Sequence, residues 1–247
     1  MISLSFPEWL FVALIFVWSG LVRSGLGFGG AALALPLMLL VINQPLLWLP
    51  MLATHLLIFS AITVFNRFDR IDWSYIRRSF PIFIVPKILG VLGLVSLPNQ
   101  ILVYIVYGIT FLYGLTYLFN YSFISKNRYV DVFLLILGGY ASGVTLMGAP
   151  LISAVYARHV ALKNLRTTLF FLWIVLVAIK MSTFVLFDVD LQFKYAMIFL
   201  PFVGVGHLIG LRLHEKLIDG DGHQYKQVLG AVLVLICGYG IVTAGHF

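Results

Sequence analysis

The chain has 247 residues, 62% of them hydrophobic and only 10% charged, with a mean hydropathy of +1.05. That leaves too little polar surface to cover a water-soluble globule of this length, so the composition predicts an all-α integral membrane protein whose first partner is the lipid bilayer. The net charge of +7 would suggest nucleic acid in a soluble domain, but most of it lies in short loops between apolar runs, where it signals topology, so no nucleic acid is expected.

From the N-terminus, the run Trp9–Trp18 has no Lys or Arg before it, and Glu8 stands where a signal peptide would be basic. It is expected to be the first membrane segment. Apolar segments fall at about 7–22, 31–42, 46–65, 80–97, 100–119, 131–147, 149–157, 167–187, 195–211 and 228–244. A helix needs roughly 20 residues to cross the hydrocarbon core, so 31–42 and 149–157 are expected to be half-helices. The single cysteine, Cys237, permits neither an intramolecular disulfide nor a cysteine metal cluster, and no cofactor is expected.

Loops 66–79, 120–130, 158–166 and 212–227 carry most of the Lys and Arg, whereas 43–45 and 98–99 carry none. Placing the basic loops in the cytoplasm makes 46–65 run inward and 167–187 outward, so the two halves have opposite topology. The stretch Ser24-Gly25-Leu26-Gly27-Phe28-Gly29-Gly30-Ala31-Ala32-Leu33 also returns as Ser142-Gly143-Val144-Thr145-Leu146-Met147-Gly148-Ala149-Pro150-Leu151, at an offset of 118 residues. Pro81 and Gly90 match Pro201 and Gly210 at an offset of 120. These matches predict two inverted five-segment repeats, 1–120 and 131–247, joined by a cytoplasmic linker at 121–130. Each repeat would carry a Gly-broken helical hairpin, at 7–42 and 131–157.

Gly25 to Gly30 satisfies the G-x-G-x-x-G pattern of a dinucleotide fold, but that fingerprint needs a preceding strand and a soluble βαβ unit, and here both flanks are membrane segments. A backbone broken at membrane depth instead leaves amide groups for a ligand, and the following half-helix presents its positive N-terminal end to it. The glycines Gly25, Gly27, Gly29, Gly30, Gly143 and Gly148 are therefore expected to frame an anion site. Simple close packing of helices is the alternative, and it is the preferred reading for Gly206 and Gly210.

Lys87, Lys180, His55 and His207 lie inside apolar segments and Arg23 abuts the first motif, whereas all nine acids map to loops or segment ends. A cation pathway or a carboxylate proton relay would put Asp or Glu at membrane depth. The one-signed charge predicts an anionic substrate, although Lys87 and Lys180 are also long enough to snorkel toward an interface. Lys87 and His207 correspond at the 120-residue offset, so each half would supply one titratable cation. Ser24, Thr54, Ser142 and Thr145 are candidate hydroxyl donors, unless they bond their own helices.

The pattern resembles the sulfite exporter TauE/SafE family, also called the toluene sulfonate uptake permease superfamily. The resemblance lies in Gly27-Phe28-Gly29-Gly30-Ala31-Ala32-Leu33-Ala34-Leu35-Pro36, Ala53-Thr54-His55, Arg70-Ile71-Asp72-Trp73 and Gly148-Ala149-Pro150-Leu151, in order along most of the chain. The second element has Met147 and Ala149 where a richer Gly-Gly-Pro-Pro version is expected. The resemblance implies a multi-pass carrier of the bacterial inner membrane moving sulfite, thiosulfate or organosulfonates, often outward. The residues by themselves reach only a small anion, bound between the two breaks, with protons as a candidate coupling ion. Two rivals are a non-transporting assembly subunit, for which an inverted duplication has no use, and an intramembrane hydrolase built on a pair such as Ser142 and His207. Against the second, no G-x-S-x-G or H-E-x-x-H motif is present.

Overall fold

Residues 4–26, 30–121, 127–218 and 223–244 are described in a computed structural model. Among them the chain forms α1 (Phe6–Leu26), α2 (Gly30–Leu39), α3 (Pro45–Val64), α4 (Trp73–Ser96), α5 (Asn99–Leu118), α6 (Arg128–Thr145), α7 (Ala149–His159), α8 (Leu162–Leu186), α9 (Phe193–Ile218) and α10 (His223–Thr243). The fold is all-α, as the composition requires. Six of these helices, α1, α3, α4, α5, α8 and α9, are long and apolar enough to cross a membrane. With 10 and 11 residues, α2 and α7 rise only about 15 Å each, half the hydrocarbon thickness, and are the expected half-helices.

Several helices outrun their apolar segments. Asp72 caps α4 by accepting from the Tyr75 amide at 2.9 Å, so α4 begins at Trp73 and takes in Arg77 and Arg78. Lys163 and Arg166 likewise lie in α8. Hydropathy marks only the part of a helix that suits hydrocarbon, whereas the backbone ladder continues through the polar interface.

The second break, between α6 and α7, is described throughout. Leu146 takes a left-handed conformation (φ 67°) and its amide donates to the Ser142 carbonyl at 3.2 Å. Thr145 Oγ1 donates to the Ala141 carbonyl at 2.9 Å and accepts from the Met147 amide at 3.2 Å. The glycine here permits a close approach rather than a special turn. Gly148 has ordinary right-handed dihedrals (φ −74°, ψ −10°), and a side chain on it would collide with the Gly138 carbonyl oxygen. In the first break, 27–29 lie outside the described residues.

Two compact units divide the helices. Unit 1 comprises 1–48, 98–121 and 194–247; unit 2 comprises 49–97 and 122–193. Each therefore combines the broken hairpin of one sequence half with the fourth helix of the other. In unit 1, α1 folds back on α2, and α2, α5 and α10 pack together. Across α1, helix α9 brings Gly206 against the Val17 carbonyl and Gly210 against that of Leu21, the packing use expected of this glycine pair. The ring of Phe199 stacks on Phe16 at 4.7 Å and on Trp9 at 5.0 Å.

In unit 2, α4 lies along α6 and also touches α8, while α7 folds back on α6. The α4 and α6 backbones almost touch: a Cβ on Gly143 would stand 2.5 Å from the Lys87 carbonyl oxygen and 2.8 Å from the Gly90 Cα. Gly143→Ala must push the two helices apart, at a cost of about 1–3 kcal/mol. Gly108, where an added Cβ would meet nothing within 4 Å, is the control. Thermal unfolding in detergent is expected to show a lowered midpoint for Gly143→Ala and an unchanged or raised one for Gly108→Ala.

Candidate functional site

In unit 2 the crossing of α4 and α6 places Lys87 beside the helix break. Its Nζ donates to the Ser142 carbonyl at 2.8 Å and to Ser142 Oγ at 3.0 Å. Both residues are buried, Lys87 at 0% exposure. The carbonyl is available because Ser142 stands in the last turn of α6, where only the Leu146 amide shares it. Lys87 therefore does not snorkel; it is tied to the second Gly motif.

Lys180, on α8, is also 0% exposed. Among the described residues its ammonium makes no hydrogen bond, and its nearest recorded ring is Phe184, 5.9 Å from Nζ to the centroid. It does not reach an interface either. Unit 2 thus holds two buried ammonium groups, one bound to Ser142 and one not hydrogen-bonded.

Unit 1 contains a matched contact. Ser24 Oγ shares a hydrogen bond with His207 Nδ1 at 2.5 Å, and Ser24 and Arg23 are buried beside it in α1. The start of α2 presses on the same turn: a Cβ on Gly30 would lie 2.6 Å from the Ser19 carbonyl and 2.9 Å from the Arg23 Cβ. Gly25 sits against Gly210, as Gly143 sits against Gly90. The serines at 24 and 142 and the basic residues at 207 and 87 are the positions that the sequence offsets align, so each motif serine meets the matched basic residue of the opposite half. Sequence reasoning had the positions but not the partners. Glycines at matched places on the hairpin arm and the fourth helix were the signal that these two surfaces meet.

The other expected residues divide. Thr54 Oγ1 donates to the Pro50 carbonyl of its own helix at 2.9 Å, and Thr145 is engaged at the break. His55 is buried on α3 in unit 2. Gly27 and Gly29 lie outside the described residues. Ser142 is bonded to Lys87 and Ser24 to His207, so the serine that meets a histidine is the one in the first motif.

One cluster was not anticipated. Asp131, in the first turn of α6, is buried and paired with Arg158 at 3.3 Å and His159 at 2.8 Å in the last turn of α7. Asp131 was expected at a segment end, and Arg158 and His159 as topology signals or part of an entry funnel just past the second half-helix; their pairing was not expected. A hairpin returns to the side it left, so its two ends, 131 and 158–159, are brought together by the break itself.

Six helices long and apolar enough to cross a membrane, two of half that length and a buried lysine at the break between α6 and α7 define an all-α, multi-pass membrane protein. The chain belongs to the sulfite exporter TauE/SafE family, whose model matches residues 12–240. This is a family of transporters, so the protein is a membrane transporter and not an enzyme. No curated protein and no solved structure matched the chain.

Removing the Ser142 hydroxyl leaves Lys87 its bond to the Ser142 carbonyl, so Ser142→Ala is expected to cost only about 1 kcal/mol. Lys87→Met keeps the length of the side chain and removes a buried charge, and is expected to leave the thermal midpoint unchanged or raised. A collapse of the Lys87→Met protein in detergent would show that the ammonium is structural.

Proposed function

We propose that this protein is a secondary transporter of a small sulfur-containing anion, namely sulfite, thiosulfate or an organosulfonate, and that it works in the export direction across a bacterial inner membrane. The observation that carries the reading is the Lys180 ammonium, fully buried and without a hydrogen-bond partner among the described residues. A lone cation at such a place costs several kcal/mol unless a counter-ion arrives. Among the described residues the one buried acid is Asp131, and it is already paired with Arg158 and His159. An anionic substrate supplies the missing charge.

The residues assigned to the substrate in unit 2 are Lys87, Lys180, Ser142, Gly143 and Gly148, with His55 on α3; Thr54 and Thr145, whose protons go to carbonyls of their own helices, are left out. Ser142 and the N-terminal end of α7 offer dipoles to an oxyanion, and the two lysines offer charge. Unit 1 offers the matched set Arg23, Ser24, Gly25, Gly27, Gly29, Gly30 and His207. Because His207 stands where the other half has Lys87, it is the group assigned to proton coupling. Discontinuous helices in inverted repeats are the usual basis of alternating access, and the same mode is assigned here.

The test is flux in proteoliposomes loaded with sulfite, thiosulfate, sulfoacetate or taurine. Wild type is expected to show counterflow of at least one of them, and Lys180→Met and Lys87→Met are expected to lose at least tenfold in rate while unfolding at an undiminished temperature. Wild type inert toward all four compounds would refute the reading.

A further inference from the structure

Unit 2 also contains a cavity of about 280 Å³ that the transport site just described does not use. It opens among the ends of α4, α6 and α7, and its rim carries Arg78, Arg128 and His159 around the carboxylate of Asp131. Among the described residues neither Arg78 nor Arg128 forms an ion pair, whereas Asp131 is shared between Arg158 and His159. The rim is therefore net positive, with its one acid already engaged. Behind it the wall is apolar: Ile82 on α4, and Val132 and Leu135 on α6. The ring of Tyr75 lies flat on that of His159, with centroids 4.8 Å apart and planes 16° apart, so the imidazole edge is held toward Asp131.

We infer that this cavity is a second, peripheral binding site for a small organic oxyanion with an apolar body, and that Asp131 is its built-in competitor. Three features select that ligand. The basic rim takes a sulfonate or carboxylate head, the apolar wall takes a carbon skeleton, and the volume, near the lower end for small-molecule pockets, exceeds what a bare inorganic oxyanion fills. The Asp131 carboxylate occupies His159 Nε2, the rim donor an incoming oxyanion would use, so ligand and carboxylate exchange places on it. Along the helices, Lys87 lies five residues beyond Ile82 and Ser142 seven beyond Leu135, roughly 8–10 Å deeper. The cavity is thus a vestibule on the α4 and α6 seam, distinct from the transport site.

The inference rests on the reading of the protein as an anion carrier, but not on the buried lysines. Its test is equilibrium binding of benzenesulfonate to the full-length protein in detergent, with inorganic sulfite as competitor. Asp131→Asn is expected to tighten binding about fivefold to tenfold, because it removes the competing charge. Arg78→Gln combined with Arg128→Gln, at exposed positions, is expected to weaken it about tenfold. Binding is expected to survive in the Lys87→Met, Lys180→Met double variant, which lacks the transport site, and sulfite is expected to compete at least tenfold less well than unlabelled benzenesulfonate. Weaker or unchanged binding in Asp131→Asn, indifference to the arginine changes, or loss of binding in the lysine variant would each overturn the vestibule. If sulfite flux persists while benzenesulfonate does not bind, only this inference fails; if flux is absent as well, the transport reading fails with it.

Discussion

The hydrogen bonds from Lys87 to Ser142 depend on two helix backbones lying almost in contact, and much else in unit 2 follows from that contact. Gly90 and Gly143 remove the side chains that would separate α4 from α6. The ammonium then reaches a carbonyl and a hydroxyl at the end of α6 without leaving the interior. The Ser142 carbonyl keeps its bond from the Leu146 amide and gives its second lone pair to the ammonium. A buried cation is tolerable there because the break supplies its acceptors. The same break returns the chain as α7 and so brings Arg158 and His159 back to Asp131.

Unit 1 repeats the contact with different chemistry. Ser24 meets His207 in place of a lysine, again where α1 and a fourth helix are kept close by glycines. An amine and an imidazole differ in shape and in the number of hydrogen bonds they can donate, so the matched positions are not chemically equivalent. The threonines tell a different story. Thr54 and Thr145 spend their protons on carbonyls one turn back, the common behaviour of hydroxyls in apolar helices, and retain only lone pairs for other partners.

Much of the fold was legible in the sequence because lipid imposes a simple rule: a chain that crosses must be apolar and helical, and a segment of 10 or 11 residues cannot cross. The ten apolar segments correspond to the ten helices of the described residues. Helix ends were less legible, since Asp72 and the polar turn after it extend α4 beyond its apolar run. Of the candidate site, Lys87, Lys180 and the motif serines could be named because charge inside an apolar run stands out. The pairing of Asp131 with residues almost 30 positions later did not stand out, because each looked like an ordinary polar end of a segment.

By itself the sequence determined the class of the protein, the order of its apolar segments and the places where two of them stop short, and it singled out the basic residues inside those segments. All of these follow from local properties, namely hydropathy, length, glycine content and the cost of charge in hydrocarbon. Only the tertiary structure decided which basic residue meets which serine. It put Lys87 on Ser142 and His207 on Ser24, each across the boundary between the two halves, and left Lys180 without a hydrogen bond among the described residues. The reason is physical: partners are chosen by which helix faces are flat enough to touch, and that choice depends on glycines set far apart in the chain and brought together only by packing.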